Sequence, residues 1–242
     1  MMAGRAGNVR PTDCRGGNER GVTGGDAISI MLVDDHDIVR RGLRSLIESH
    51  PGWRVSCEAT NGREALASLK TCAPDVVVTD LGLPELNGLM LVRKIRRMVP
   101  APEVVIFSMY ETEFLVREAI AVGARGYVLK SDAARHLTEA IEAAVLGMPY
   151  FSPPIADKIR DILADHGDHQ IGPAPAGRSL TFRQQEIIQL LAEGKSNKDI
   201  AIALSISVKT VETHRSAIMR NLGFNSIVDL VRYAFENGIT HI

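Results

Sequence analysis

Short aliphatic runs alternate with amphipathic stretches along the chain between Ile28 and Leu146. The runs ISIMLV, WRVSCEA, DVVVTD, EVVIFS and GYVLK resemble strands in length and composition, and each is followed by a stretch with helical spacing. Most of them are continuous in Val, Ile and Leu, which is typical of strands buried on both faces. Because parallel strands need crossover connections, five strand–helix pairs predict an α/β doubly wound fold with a five-stranded parallel sheet.

The pattern changes after Ser179, where only helical spacing remains. Four short segments are predicted as helices: FRQQEIIQLLAEG, NKDIAIAL, VKTVETHRSAIMRNL and IVDLVRYAFENG. In the third segment Val211, Ile218 and Leu222 share one face, which predicts the side that enters a core. The second and third segments, separated by a short turn, predict a helix-turn-helix in a small all-α domain at residues 178–242.

The stretches outside these two patterns are predicted to be connecting or disordered segments. Residues 1–26 are rich in Gly and Arg and have no apolar period, so we expect a disordered tail. The sheet domain is expected at 27–150, ending in the Pro-marked stretch MPYFSPP. Residues 151–177 are expected to form a linker, in which IADKIRDILADH could be a short helix that docks or dimerises, before the flexible GDHQIGPAPAG.

Composition and charge narrow the class of protein only partly. The formal net charge is −1, and residues 178–242 carry eight basic and six acidic side chains, a weak basic footprint of +2. No apolar run has the length of a membrane helix, and the N-terminus lacks the apolar core of a secretory signal. The three cysteines have neither disulfide nor metal-ligand spacing. These features predict a cytoplasmic protein with no membrane association.

Polar side chains stand where four of the predicted strands end. Asp34 and Asp35 follow the first strand, Asp80 the third, Ser108 the fourth and Lys130 the fifth. In an open parallel sheet functional groups gather at the carboxyl ends of the strands, so these side chains are expected to share one cleft. Two adjacent aspartates alone could simply cap a helix, but residues at four strand ends together favour a site.

The chemistry of this group points to phosphoryl transfer. Clustered carboxylates repel one another unless a cation lies among them, and Mg²⁺ prefers such oxygen ligands. A carboxylate can attack phosphorus to give an acyl phosphate, while Lys130 supplies a positive charge for a phosphate oxygen. Haloacid-dehalogenase-type phosphatases also have an aspartate nucleophile, but they need a second Asp two residues later as an acid. Gly82 stands at that position and cannot act as an acid, which argues against a phosphatase of this type.

The motifs LVDDH, TDLGLPELNG, FSMYE and GYVLKS resemble those of two-component receiver domains, which have a flavodoxin-like fold, over about residues 28–146. The resemblance implies that a sensor histidine kinase phosphorylates Asp80 and that the protein is not an enzyme, beyond autophosphorylation from small phosphodonors and slow autodephosphorylation. It implies Ser108 as a switch hydroxyl, Lys130 as the phosphate-pairing lysine and Tyr127 as a rotating aromatic. It also implies Mg²⁺ ligands at Asp34, Asp35, Asp80 and the Gly82 carbonyl.

The stretch LTFRQQEIIQLLAEGKSNKDIAIALSISVKTVETHRSAIMRNLG resembles the LuxR-type helix-turn-helix, and the whole chain resembles the NarL/FixJ response regulators. This implies a transcription factor that binds double-stranded DNA, as a homodimer when phosphorylated. A helical domain that binds protein, and a receiver that only dimerises, are the alternatives. Glu212 departs from the lysine common in the family, although it could accept from a cytosine amine. The expected DNA contacts are Asn197, Lys198, Lys209, Thr210, Glu212, Thr213, Arg215, Ser216 and Arg220.

Overall fold

The computed structural model describes residues 27–166 and 180–240, without the side chains of residues 133–134 and 162–166. The predicted tail at 1–26 and the connector GDHQIGPAPAG lie outside these residues. The first domain, which we call the sheet domain, contains β1 (Ile28–Val33), α1 (Asp37–Glu48), β2 (Trp53–Ala59), α2 (Gly62–Cys72), β3 (Val76–Thr79), α3 (Gly88–Ile95), β4 (Glu103–Ser108), α4 (Glu113–Ala121), β5 (Gly126–Leu129), a 3₁₀ turn (Lys130–Asp132), α5 (Ala133–Val145) and β6 (Tyr150–Phe151).

The strands form one parallel sheet in the order β2-β1-β3-β4-β5-β6. This confirms the doubly wound α/β fold, but the predicted count of five strands was one too low. Tyr150, expected as the last residue of the domain, and Phe151, expected in the linker, pair with Gly126 and Tyr127 as a sixth strand at the edge. A strand of two residues is too short to produce a periodic signal, and it is stabilised here by its neighbour β5.

Two apolar layers cover the sheet, one on each face. Successive side chains of a strand point to opposite faces, so Val77 belongs to the layer with α2, α3 and α4 while Val76 and Val78 belong to the layer with α1 and α5. All four residues of β3 are buried, which explains its continuous apolar sequence. The central strands therefore have little freedom to move, and their carboxyl ends are fixed relative to one another.

The chain leaves the sheet domain through α6 (Pro153–His166), the helix predicted in the linker. Ile155 is fully buried in the core of the sheet domain, and Ile159 packs against the same core. The start of the linker is thus anchored on the sheet domain. No helix in the described ranges combines the length and the apolar character that a membrane span requires.

The helical domain consists of α7 (Phe182–Ala192), α8 (Asn197–Leu204), α9 (Val208–Leu222) and α10 (Ile227–Glu236). Each helix begins after a Ser or Thr whose hydroxyl accepts a backbone N–H of the first turn, which stabilises helices too short to persist alone. The predicted core residues Val211 and Ile218 are fully buried, together with Ile187, Ile200 and Leu230. α8, a short turn and α9 form the predicted helix-turn-helix.

The glycine at the start of α3 generates a prediction about stability. A Cβ at Gly88 would lie 2.1 Å from the Asp80 carbonyl oxygen, whereas one at Gly42 in α1 would meet nothing within 4 Å. We expect Gly88→Ala to lower the free energy of unfolding by at least about 2 kcal/mol because backbone must move. Gly42→Ala should raise it by about 0.5–1 kcal/mol through helix propensity. Chemical denaturation measures both, and equal effects of the two changes would contradict this packing.

Candidate functional site

The polar residues singled out at the strand ends meet at one edge of the sheet. β1, β3, β4 and β5 are consecutive in the sheet, so the residues that follow or end them are brought together from distant parts of the chain. Asp34, Asp80 and Ser108 are buried, and Lys130 is largely buried with them. The predicted cleft therefore exists, and its charged groups lie in a region of low solvent access.

Lys130 connects the two buried carboxylates of this cleft. Its Nζ donates to Asp34 Oδ2 and to Asp80 Oδ2, both at 2.7 Å. Burial by itself would lower the pKa of Lys130, but the neighbouring Asp80 and Asp34 carboxylates outweigh it and raise the pKa above its usual value. The ammonium therefore stays charged and cancels part of the repulsion between the two carboxylates.

The acidic cluster has the donor chemistry of a hard-cation site. One ligand atom from each of Asp34, Asp35, His36 and Asp80 lies within 4.8 Å of the others. Carboxylate oxygens are the ligands that Mg²⁺ prefers, and two of these residues, Asp35 and His36, are exposed, so water can complete a coordination shell. His36 is the N-cap residue of α1, and its Nδ1 lies 3.1 Å from Asp34 Oδ1 and 2.8 Å from Asp35 Oδ1. The cluster fits Mg²⁺.

Gly82 lies in the loop between Asp80 and α3, where its backbone is buried. The first residue of this loop donates its backbone N–H to Asp80 Oδ1 at 2.7 Å, so one oxygen of that carboxylate is held by the loop and the other by Lys130. A change in the charge or the contacts of the Asp80 carboxylate therefore alters a hydrogen bond of the loop that carries Gly82.

Ser108 and Tyr127 contact the same residue, Tyr110, which the sequence had not singled out. The Tyr110 backbone N–H donates to Ser108 Oγ at 3.1 Å, and the Tyr127 hydroxyl donates to the Tyr110 carbonyl at 2.6 Å. Tyr127, expected as a rotating aromatic, is fully buried, and burial raises the pKa of its hydroxyl. The start of the loop between β4 and α4 is thus tied to two residues beside the pocket.

The polar face of α9 is accessible. Its Lys209, Glu212, Thr213, Ser216 and Arg220 side chains are exposed, while Thr210 and Arg215 are partly so. Glu212, the acidic residue on this face, makes no ion pair with Lys209 or Arg215 within the described ranges.

A hollow with a volume of about 590 Å³ lies between this face and the start of α8, where Asn197 and Lys198 lie. Arg215 of α9 reaches into the same hollow, beside Lys195 and Ser196. Backbone N–H groups at a helix start and nearby cations favour an anion, so the hollow suits a phosphate of a nucleic-acid backbone. The described residues therefore combine an exposed polar helix face with an adjacent cationic hollow.

Comparison with known proteins identifies two family models in the chain. The response regulator receiver domain matches residues 30–142, and the LuxR family of bacterial regulatory proteins matches residues 178–234. The transcriptional regulatory protein LiaR of Bacillus subtilis is 32% identical over 88% of this chain and 100% of its own length. The transcriptional regulatory protein MctR of Rhizobium johnstonii is 30% identical over 88% of this chain and 95% of its own.

Solved structures agree on the fold. A LuxR-family two-component response regulator from Aurantimonas is 42% identical, covers 56% of this chain and 97% of its own, and superposes with a TM-score of 0.54. The RcsB response regulator of Salmonella typhimurium, 23% identical, covers 88% of this chain and 99% of its own with a TM-score of 0.64. The second likeness extends the agreement in fold across both domains.

The ion pairs of Lys130 generate a second prediction. Lys130→Met would leave Asp34 and Asp80 buried without their cation, so we expect about 3 kcal/mol less stability in metal-free buffer. Added Mg²⁺ should restore much of the loss, because it supplies the missing positive charge. Lys158→Met is the matched control. Lys158 is half-exposed and its Nζ is as far as 4.0 Å from Glu111 Oε1, so its ion pair is weak. This change should alter stability by about 0.5 kcal/mol or less. Similar losses for both variants would contradict the assigned role of Lys130.

Proposed function

The chain belongs to the NarL/FixJ response regulators, which join a receiver domain to a LuxR-type DNA-binding domain, and on this basis we propose that it is switched by phosphorylation of Asp80. It is a transcriptional regulator. The observation that carries the proposal is the buried Lys130 ammonium shared by Asp34 and Asp80 at the carboxyl edge of the sheet. We take the receiver domain to extend over 27–151, one residue beyond the expected 27–150 because Phe151 pairs with Tyr127, and the DNA-binding domain over 178–242, with the segment 152–177 between them.

Asp80 is the nucleophile in this proposal. One of its carboxylate oxygens attacks the phosphorus of a phosphohistidine on a sensor histidine kinase, or of a small phosphodonor, and the bond from phosphorus to the donor breaks. Lys130, already beside Asp80, pairs with a phosphoryl oxygen, and the Ser108 hydroxyl donates to another. Mg²⁺ held by Asp34, Asp35, Asp80 and the Gly82 carbonyl would neutralise charge on the transferring group.

Phosphorylation changes the hydrogen bonds around the pocket. When Lys130 and Ser108 turn to the phosphoryl group, the Ser108 contact to the Tyr110 backbone is lost and the loop between β4 and α4 can move. The Tyr127 hydroxyl donates a hydrogen bond to the Tyr110 carbonyl, so the Tyr127 side chain moves with this loop and repacks. A local change in charge thus biases an element with two arrangements, as in other phosphate switches.

The output of the switch is DNA binding by the helical domain in the cytoplasm. The face of α9 carrying Lys209, Thr210, Glu212, Thr213, Arg215, Ser216 and Arg220 reads the major groove, while Asn197 and Lys198 at the start of α8 contact phosphate. Phosphorylation promotes a homodimer, which presents two such helices to half-sites about one DNA turn apart. The exposure of this face and the adjacent cationic hollow support this proposal.

Phosphate uptake tests the assignment of Asp80. The full-length protein with Mg²⁺ and acetyl phosphate should gain one base-labile phosphate, detected by intact mass, and Asp80→Asn should gain none because an amide is not a nucleophile here. Asp37→Asn is the matched control, since Asp37 is an exposed residue in the first turn of α1 that should not alter uptake by more than about twofold. Wild-type uptake by Asp80→Asn would mean that another residue is the acceptor.

Mobility shift at increasing salt tests DNA binding. With DNA from upstream of the chain's own gene, affinity should fall steeply with salt, and Arg215→Ala or Arg220→Ala should each weaken binding and reduce the salt slope by about one. Arg160→Ala serves as control because Arg160 is an exposed residue of α6, remote in sequence from the helix-turn-helix. A shift independent of salt, or equal losses for all three variants, would favour the alternative of a protein-binding helical domain.

A further inference from the structure

The first helix of the DNA-binding domain reaches into the phosphoacceptor loop of the receiver. Gln189 of α7 is fully buried, although glutamine is ordinarily a surface residue. Its Nε2 donates to the Leu83 carbonyl at 2.7 Å, and its Oε1 accepts the Asn87 backbone N–H at 2.9 Å. One amide side chain thus holds both ends of the segment 83–87, which directly follows Gly82.

The C-cap residue of α7 supports the same loop. Glu193 Oε1 accepts the Glu85 backbone N–H at 2.9 Å and also the Gln189 Nε2 at 2.9 Å. Glu85 has a left-handed backbone with φ of 65°, a conformation that costs free energy for a residue with a Cβ and persists only when neighbours hold it. The two side chains therefore satisfy three backbone groups of this loop, at residues 83, 85 and 87.

A series of hydrogen bonds connects this loop to the phosphorylation site. The Asn87 side chain caps α3, and the Gly88 backbone N–H donates to the Leu81 carbonyl at 2.8 Å. The Leu81 backbone N–H in turn donates to Asp80 Oδ1. Any restriction that Gln189 imposes on residues 83–87 therefore reaches both Asp80 and the intervening Gly82.

The domains contact each other at two further places. Lys94 of α3 pairs with Glu186 of α7 at 3.3 Å, and the Arg93 guanidinium lies over the Phe182 ring with its carbon 3.0 Å from the centroid. After α10, a Cβ at Gly238 would lie 2.8 Å from a methyl carbon of Leu115 in α4. These contacts leave the reading face of α9 uncovered, since five of its seven expected DNA contacts are exposed. Docking of α7 is therefore compatible with an accessible reading face.

We propose that Gln189 is a positioning residue that braces the phosphoacceptor loop, so that the docked DNA-binding domain tightens the binding of Mg²⁺ at the pocket. This rests on the proposed function of Asp80. A loop already held at residues 83 and 87 loses less conformational entropy when the Gly82 carbonyl engages a cation, which lowers the free-energy cost of binding. The coupling is reciprocal, so occupation of the pocket stabilises the docked position of α7 by the same factor.

Calorimetric titration of Mg²⁺ into the full-length protein tests the brace. Gln189→Ala should weaken Mg²⁺ binding about three- to tenfold, because the loop must be ordered on binding. Glu193→Ala, at a half-buried position that tolerates truncation more easily, should weaken it about two- to threefold through the lost Glu85 contact. Gln185→Ala is the matched control one turn earlier in α7, where no hydrogen bond from the side chain to the receiver occurs in the described residues.

Hydrogen exchange of the loop provides a readout independent of the metal. In Gln189→Ala, but not in Gln185→Ala, the amides of Glu85 and Asn87 should exchange about tenfold faster, with unchanged thermal unfolding of the receiver. If Gln189→Ala binds Mg²⁺ as tightly as the wild-type protein or more tightly, the proposed positioning role of Gln189 is wrong. The proposed phosphorylation of Asp80 would not be affected by that result. Failure of the wild-type protein to bind Mg²⁺ at all would instead overturn the proposed function, and this inference with it.

Discussion

The contact of one ammonium group with two buried carboxylates is the interaction on which the pocket depends. Asp34 and Asp80 lie almost fully out of solvent at neighbouring strand ends, where their repulsion would be costly without Lys130. The same contact makes the pocket responsive, because a phosphoryl group on Asp80 or a dication beside it changes the charge that Lys130 must balance. In the proposed switch, stability of the resting state and sensitivity to phosphorylation thus have one physical origin.

In the proposed switch, the parallel sheet connects the pocket to other parts of the molecule. Its strand order brings together side chains from positions 34, 80, 108 and 130, and each strand end continues into a different loop. The loop after Ser108 is tied to Tyr127 through Tyr110, and the loop after Asp80 is tied to α7 through Gln189. Two separate connections therefore lead away from one pocket, one to the receiver surface and one to the DNA-binding domain.

The sequence predicted those parts that follow from a period or a position. Apolar runs specified the five strands β1 to β5, and the strand-end rule specified Asp34, Asp80 and Lys130, because both depend only on local sequence and the parallel topology. The two-residue strand at Tyr150 was missed, because so short an element leaves no period. Gln189 and Tyr110 were missed for a different reason. Their roles depend on contacts between segments far apart in the chain, and a polar residue on an amphipathic helix gives no local sign of the partner that buries it.

The coupling of the pocket to DNA is measured most directly by mapping binding sites across the genome in cells that carry either the wild-type protein or Asp80→Ala. Both chains keep the same reading face, so the comparison isolates the phosphoacceptor from the DNA contacts. If the state of Asp80 controls the helix-turn-helix, the sites occupied by the wild-type protein will lose most of their occupancy in Asp80→Ala at equal protein levels. Identical sites with identical occupancy in both strains, under conditions where the wild-type protein carries phosphate, would contradict that control.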